Sequence, residues 1–190
     1  MKTQILILFF SLLTLGVNAE GNPIMKATST KSLVINPSLW KSSHVNVTIR
    51  EELSGNILLN ETVGTNQNMR SYNLKNLSDG AYTLELSDAL KIQSQTFIIQ
   101  SDVLSLSKDI TTEYKPVNTW DGKCMNLNFL TLGRETTLSI EDKDNNVVFA
   151  EKFKASAIHK RYDLRNLTSG VYTVTVKSGN RTYYLGNQKI

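Results

Sequence analysis

The sequence predicts an all-β protein, two tandem antiparallel β-sandwiches behind a cleaved leader. Three observations predict it. A fifteen-residue stretch recurs ninety residues downstream, apolar and polar residues alternate along both copies, and each copy carries the turn residues of a hairpin and a sharp corner. After the leader no run has helical periodicity.

The leader comes first in the chain. Met1-Lys2-Thr3-Gln4 carries one positive charge, Ile5 to Val17 is an apolar run of 13 residues, and Val17-Asn18-Ala19 supplies the small residues of a cleavage site. That order is the pattern of a secretory signal peptide cut after Ala19. The run is shorter than the ~20 residues that a spanning helix needs. The expected mature chain is therefore exported, to the cell surface, the periplasm or the medium, with no transmembrane span.

The repeat is the strongest signal after the leader. Tyr72-Asn-Leu-Lys-Asn-Leu-Ser-Asp-Gly-Ala-Tyr-Thr-Leu-Glu-Leu86 returns as Tyr162-Asp-Leu-Arg-Asn-Leu-Thr-Ser-Gly-Val-Tyr-Thr-Val-Thr-Val176, with seven of fifteen positions identical. Upstream, Ile57 to Glu61 aligns with Val147 to Glu151 at the same offset. Val47-Thr48-Ile49 aligns with Leu138-Ser139-Ile140 at an offset of 91, so one turn differs by a residue. A period this long marks duplicated domains. The expected boundaries are 1–19 for the leader, 22–101 for the first unit and 103–190 for the second, with Val103-Leu-Ser-Leu106 readable as the last strand of the first unit or the first of the second, and Lys115 to Gly122 as a loop.

Each copy reads as strands. Val45, Val47 and Ile49 alternate with Asn46 and Thr48, the period of a half-buried strand. Leu53-Ser54-Gly55-Asn56 is a turn, and Ile57-Leu58-Leu59 is the returning arm. In the second copy the arms are Thr136–Glu141 and Val147–Phe153, joined through Asp142 to Asn146, whose Asp and Asn residues accept left-handed dihedrals. In the corner stretch Tyr72, Gly80 and Tyr82, and their counterparts Tyr162, Gly170 and Tyr172, are the candidate structural residues. The glycines are expected at positive φ. A tyrosine just past such a corner, bonding back to the loop backbone, is the tyrosine-corner device of immunoglobulin-like sandwiches.

Composition narrows the function classes. A single cysteine among 190 residues excludes an internal disulfide framework and a Cys-rich zinc site. Each unit then lacks the ~2–4 kcal/mol that a staple adds, and a domain of this size buries only roughly 60–65% of its unfolded surface. The two units are expected to lean on each other. Residues 20–101 hold 7 basic and 7 acidic side chains, and 102–190 hold 13 and 10. No clustered basic face for nucleic acid is indicated.

At the hairpin and the Leu-x-x-Leu-x-x-Gly-x-Tyr stretch, the sequence resembles small secreted β-sandwich domains of the Bacteroidetes. One group is the C-terminal sorting domain of the type IX secretion system, in which a Gly-x-Tyr strand precedes a short closing strand. The second copy is similar to it, with Tyr162 to Val176, a Ser178-Gly179-Asn180 turn and a closing segment from Arg181 to Ile190. The other group is a family of uncharacterised single-sandwich secreted proteins, which the first copy, ending Gln95-Thr-Phe-Ile-Ile99, resembles more closely. The likeness covers residues 45–99 and 136–190. It implies a sandwich fold and, for the sorting group, contact with secretion machinery.

Candidate chemistry is sparse. Cys124 with His44 or His159 is the sole thiol dyad available, and the repeat places Cys124 beside Ser32 on the polar side of a strand. Asp142, Asp144 and Asn146 alternate like the start of a calcium loop, but Val147 stands where that loop needs glycine. Trp40, Trp120, Tyr183 and Tyr184 are the candidate contacts for a glycan or protein partner. Sequons occur at Asn46, Asn60, Asn76, Asn166 and Asn180. The reading that follows is a non-enzymatic binding or structural module at the cell surface or periplasm, with no cofactor and no catalytic residue. The alternative is that the C-terminal unit serves as a type IX sorting signal read through its closing strand. A thiol enzyme using Cys124 is the remote third.

Overall fold

In a computed structural model the described residues are 24–190, apart from Thr30, Gln67 and Asn68. The expected leader and its cleavage site lie outside them. Among the described residues no helix is long and apolar enough to cross a membrane.

The first unit contains β1 (Met25–Ser29), β2 (Ser32–Ile35), β3 (His44–Glu51), β4 (Ile57–Gly64), β5 (Arg70–Asn73), β6 (Gly80–Ser87), β7 (Lys91–Gln100) and β8 (Val103–Tyr114). The second contains β9 (Val117–Asp121), β10 (Cys124–Phe129), β11 (Thr136–Glu141), β12 (Val147–Phe153), β13 (Ile158–Asp163), β14 (Val171–Ser178) and β15 (Arg181–Lys189). Every pairing is antiparallel. The first unit stacks a sheet ordered β1-β2-β5 against one ordered β4-β3-β6-β7-β8, and the second stacks β9-β10-β13 against β12-β11-β14-β15. These are two tandem immunoglobulin-like sandwiches.

Alternation builds both cores. Tyr82, Leu84 and Leu86 on β6 and Tyr172, Val174 and Val176 on β14 are buried, while Thr83, Glu85, Thr173 and Thr175 between them are half-buried on the other face. Met125 and Leu127 on β10 occupy the places of Leu33 and Ile35 on β2, and all four are shielded from solvent. Each such side chain contributes roughly 1.5–3 kcal/mol on leaving water. Because the two faces of a strand differ by one residue, this pattern fixes register along each ladder.

The hairpins form where turn chemistry placed them. Gly55 (φ 71°) turns β3 into β4, and Asn145 (φ 62°) turns β11 into β12. At the join that the sequence left open, Ser101 and Asp102 both have positive φ, 49° and 66°, and form a two-residue hairpin loop. Val103–Tyr114 therefore folds back along β7, from Gln100↔Val103 to Lys91↔Tyr114, and completes the first unit's sheet. Lys115-Pro116 then joins β8 to β9.

The corner glycines also differ from expectation, for neither Gly80 nor Gly170 has positive φ. They lie under the rings of Tyr82 and Tyr172, where an added Cβ would come within 3.6 and 3.5 Å.

Candidate functional site

The corner tyrosines do what their position implies. The Tyr82 hydroxyl donates to the Ser78 carbonyl at 2.8 Å, and the Tyr172 hydroxyl donates to that of Thr168 at 2.9 Å. The preceding turns match as well, with Leu77 N–H donating to Leu74 and Leu167 N–H to Leu164. Tyr72 and Tyr162 do not belong to the corner. Each reaches across the open side of its sandwich, Tyr72 to Glu61 on β4 at 2.6 Å and Tyr162 to Glu151 on β12 at 3.1 Å. A cation completes each group, Arg70 forking onto Glu61 and Lys160 binding Glu151. The hydrogen bond from Tyr72, together with Arg70, holds the Glu61 carboxyl below its ordinary pKa, against the opposing effect of burial. Burial, and in addition the Glu61 carboxylate, pushes the Tyr72 hydroxyl up. Glu61 and Glu151 were aligned by the repeat, but nothing in the pattern tied them to the tyrosines.

Cys124 and histidine are not brought together. Cys124 stands opposite Asp163 and His159 stands opposite Asn128, at the two ends of the β10–β13 ladder. Four residues of strand separate them, about 14 Å. His44 lies in the other unit beside Ser43. The Asp142 carboxylate is occupied by its own turn, accepting from the N–H groups of Asp144 and Asn146, both at 2.9 Å, and from the Asn146 amide. Among the described residues no group of three or more His, Cys, Asp or Glu side chains is arranged to hold a metal.

The aromatic contacts do not form a platform. Trp40 is buried in the first core with the Lys91 ammonium 4.5 Å from its ring centroid. Trp120 packs on the second core, as does Tyr183, which meets Phe129 edge-on at 5.9 Å. Tyr184 alone of the four is exposed, at 61%.

Two places remain, one that the sequence did not single out and one, the closing strand, that it did. Between the units, Arg181 at the head of β15 pairs with Glu85 on β6 and, at 2.7 Å, with Glu113 on β8. Arg134 joins Glu113 from the same side at 3.3 Å. Burial works against the charge on Arg181, and the two carboxylates outweigh it. No periodicity or repeat could have revealed this, because Arg181 has no acidic or basic equivalent acting across the units in the first copy. The other place is β15 itself, whose outward residues Thr182, Tyr184, Asn187 and Lys189 are all exposed.

Comparison with known proteins adds to this geometry. A family described as "Secretion system C-terminal sorting domain" matches residues 24–100 and again 123–187, one match on each unit. No curated protein matches the chain. Among solved structures, the chain is similar to "Biofilm associated protein - BSP domain" at 13% identity and a TM-score of 0.30, over 85% of this chain and 27% of that one. It is also similar to the FN1-FN3 domains of chicken CNTN1, at 11% identity and a TM-score of 0.25, over 84% of this chain and 58% of that one. The chain thus spans about a quarter of the first and just over half of the second.

Proposed function

Since this chain belongs to the secretion system C-terminal sorting domain family, we propose that its second unit, residues 115–190, is the export signal that a type IX secretion machinery reads, and that the protein is delivered by it to the cell surface or medium. The observation that carries this reading is the family match on both units, which takes in the hairpin, the corner and most of the closing strand. The second unit is preferred because Tyr184 and Asn187 on the outer face of its closing strand are exposed, whereas Ser94 and Thr96 at the matching places on β7 are half-buried.

The reading of a surface binding module has less to stand on. Of its aromatic contacts only Tyr184 reaches solvent freely, and the remaining three serve packing. Nothing in the arrangement of Cys124, His44 and His159 favours a thiol enzyme. The protein is proposed to act without catalysis, as a signal recognised by its shape and its strand edge.

The test is made in the native host. The full chain is compared with a chain lacking residues 183–190, and with full-length Leu127→Ala, which loosens the second core but keeps β15. Cells are fractionated and each pool is weighed intact. The full chain and Leu127→Ala are expected outside, and the truncated chain is expected to stay within the envelope. A truncated chain found at the surface in the amount of the full chain overturns the reading.

A further inference from the structure

The duplication supplies an internal comparison at one strand edge. β7 and β15 are the same strand of the repeat, with Ala81 opposite Ile98 in the first unit and Val171 opposite Lys189 in the second. In the first unit the far edge of β7 is covered along its whole length by β8, and the sheet has five strands. In the second the sheet has four, and among the described residues no strand pairs with the far edge of β15.

That edge carries free backbone groups. Gly170 and Ile190 exchange both of their backbone hydrogen bonds, at 3.2 and 2.9 Å. Antiparallel alternation then turns the N–H and C=O of Lys189, and of Asn187 two residues back, away from β14. Their counterpart Ile98 uses the same edge to pair with Ser105 of β8. In the first unit Leu104, Leu106 and Ile110 of β8 continue the core beyond β7, whereas in the second the half-buried Tyr183 and Leu185 of β15 are the last apolar residues at that rim among the described strands. From β9 the Asn118 amide donates to the Leu185 carbonyl at 3.2 Å. Both ladders also break at one level, between Gln95 and Phe97 in β7–β8 and between Val174 and Thr175 in β14–β15, where Gly186 has φ 124°.

Building on the reading of the second unit as the sorting signal, we propose that the open edge of β15 is a strand-acceptor site, filled by an extended segment of a partner protein in the antiparallel register that β8 adopts on β7. The first unit is then the closed counterpart, its acceptor edge already occupied by its own chain. The chemistry of the occupant follows from the rim. It is an alternating strand with apolar residues over Tyr183 and Leu185, a break opposite Gly186, and no cation opposite Lys189. A second copy of β15 fits poorly, because antiparallel pairing about Leu185 sets Lys189 against Arg181, and like charges directly opposite repel. Main-chain hydrogen bonds supply the affinity in such additions and the alternate side chains supply the specificity.

β8 itself is the probe. A fluorescent peptide of residues 103–114 is titrated against the chain from Glu20 onward and followed by anisotropy, with hydrogen exchange locating the contact. Saturable binding is expected, with new protection of the Asn187 and Lys189 amides and none in the first unit. A peptide carrying Ser105→Pro, and the protein variant Lys189→Pro, each lose edge hydrogen bonds and are expected to bind about tenfold more weakly. Proline is tolerated there because the amide it removes makes no bond to β14. The peptide variant is read against unaltered protein, so the test holds even if Lys189→Pro fails to fold. Absence of binding, binding indifferent to both prolines, or protection elsewhere overturns the proposal. So does normal export of a folded Lys189→Pro chain, which leaves the sorting reading intact, since that reading stands or falls with the truncation of residues 183–190.

Discussion

Tyr72 and Glu61 lie in opposite sheets of the first unit and are joined by a hydrogen bond of 2.6 Å, and the same tie recurs between Tyr162 and Glu151 at 3.1 Å. Each bond ties the two layers on the side of the sandwich where β4 or β12 is an edge strand, beside the ion pair that Arg70 or Lys160 makes with the same carboxylate. It is a charge-assisted bond with a cation behind it, so it depends on the carboxylate being ionised.

Acid should therefore loosen the first unit through Glu61. Its folded pKa is depressed below 4.5, chiefly by the Tyr72 hydrogen bond. A depressed carboxylate stabilises fully above its unfolded pKa, and that stability is lost as pH falls through the folded value. Urea unfolding of the parent chain is expected to weaken as pH drops from 5 to 3, and Glu61→Gln to flatten that dependence. A parent and variant with parallel pH profiles would exclude the role given to Glu61.

Tyr72 acts on the alkaline side. Burial and the nearby Glu61 carboxylate raise its hydroxyl above the ordinary value of 10. A raised group stabilises fully below its unfolded pKa, and the stability goes as pH rises through the folded one. Tyr72→Phe should reduce the loss of stability seen above about pH 10, and should cost roughly 1.5–3 kcal/mol at neutral pH. Equilibrium unfolding at pH 7 and pH 11 measures both.

The corner tyrosines should be worth less. Tyr82→Phe and Tyr172→Phe each remove one neutral hydrogen bond to a loop carbonyl and keep the ring in the core. Each is expected to cost about 1 kcal/mol. A loss above about 3 kcal/mol would mean that the corner organises more of the fold than its bond accounts for.

Arg181 should couple the units. Its guanidinium binds Glu85 and Glu113 across the junction, with 31% of its side chain exposed. Arg181→Ala leaves two half-buried carboxylates without their shared cation, at a cost of roughly 1–2 kcal/mol once solvent screening is allowed for. Calorimetry is expected to show the two units melting closer together in the parent than in the variant. Salt at 1 M should narrow the difference between them, since these charges are only partly shielded. Identical traces for parent and variant would show that the junction does not rest on Arg181.

The alternation of Val45, Val47 and Ile49, the turn residues at Gly55 and Asn145, and the Tyr82 and Tyr172 corners were all legible in the chain, because each depends on neighbours within a few residues and recurs at a fixed spacing. The duplication made them more secure, since a pattern seen twice is not an accident of composition. What local pattern could not convey was partnership at a distance. Ser101-Asp102 has the dihedrals of a tight hairpin without the Asn-Gly signature, so the fate of β8 was settled by pairing with β7. Tertiary structure also decided that Trp40 is core, that Cys124 and His159 stand apart, that Glu61 meets Tyr72, and that Arg181 spans two units. Periodicity tells which face a residue takes, and only the packing of one sheet on another tells what it meets there.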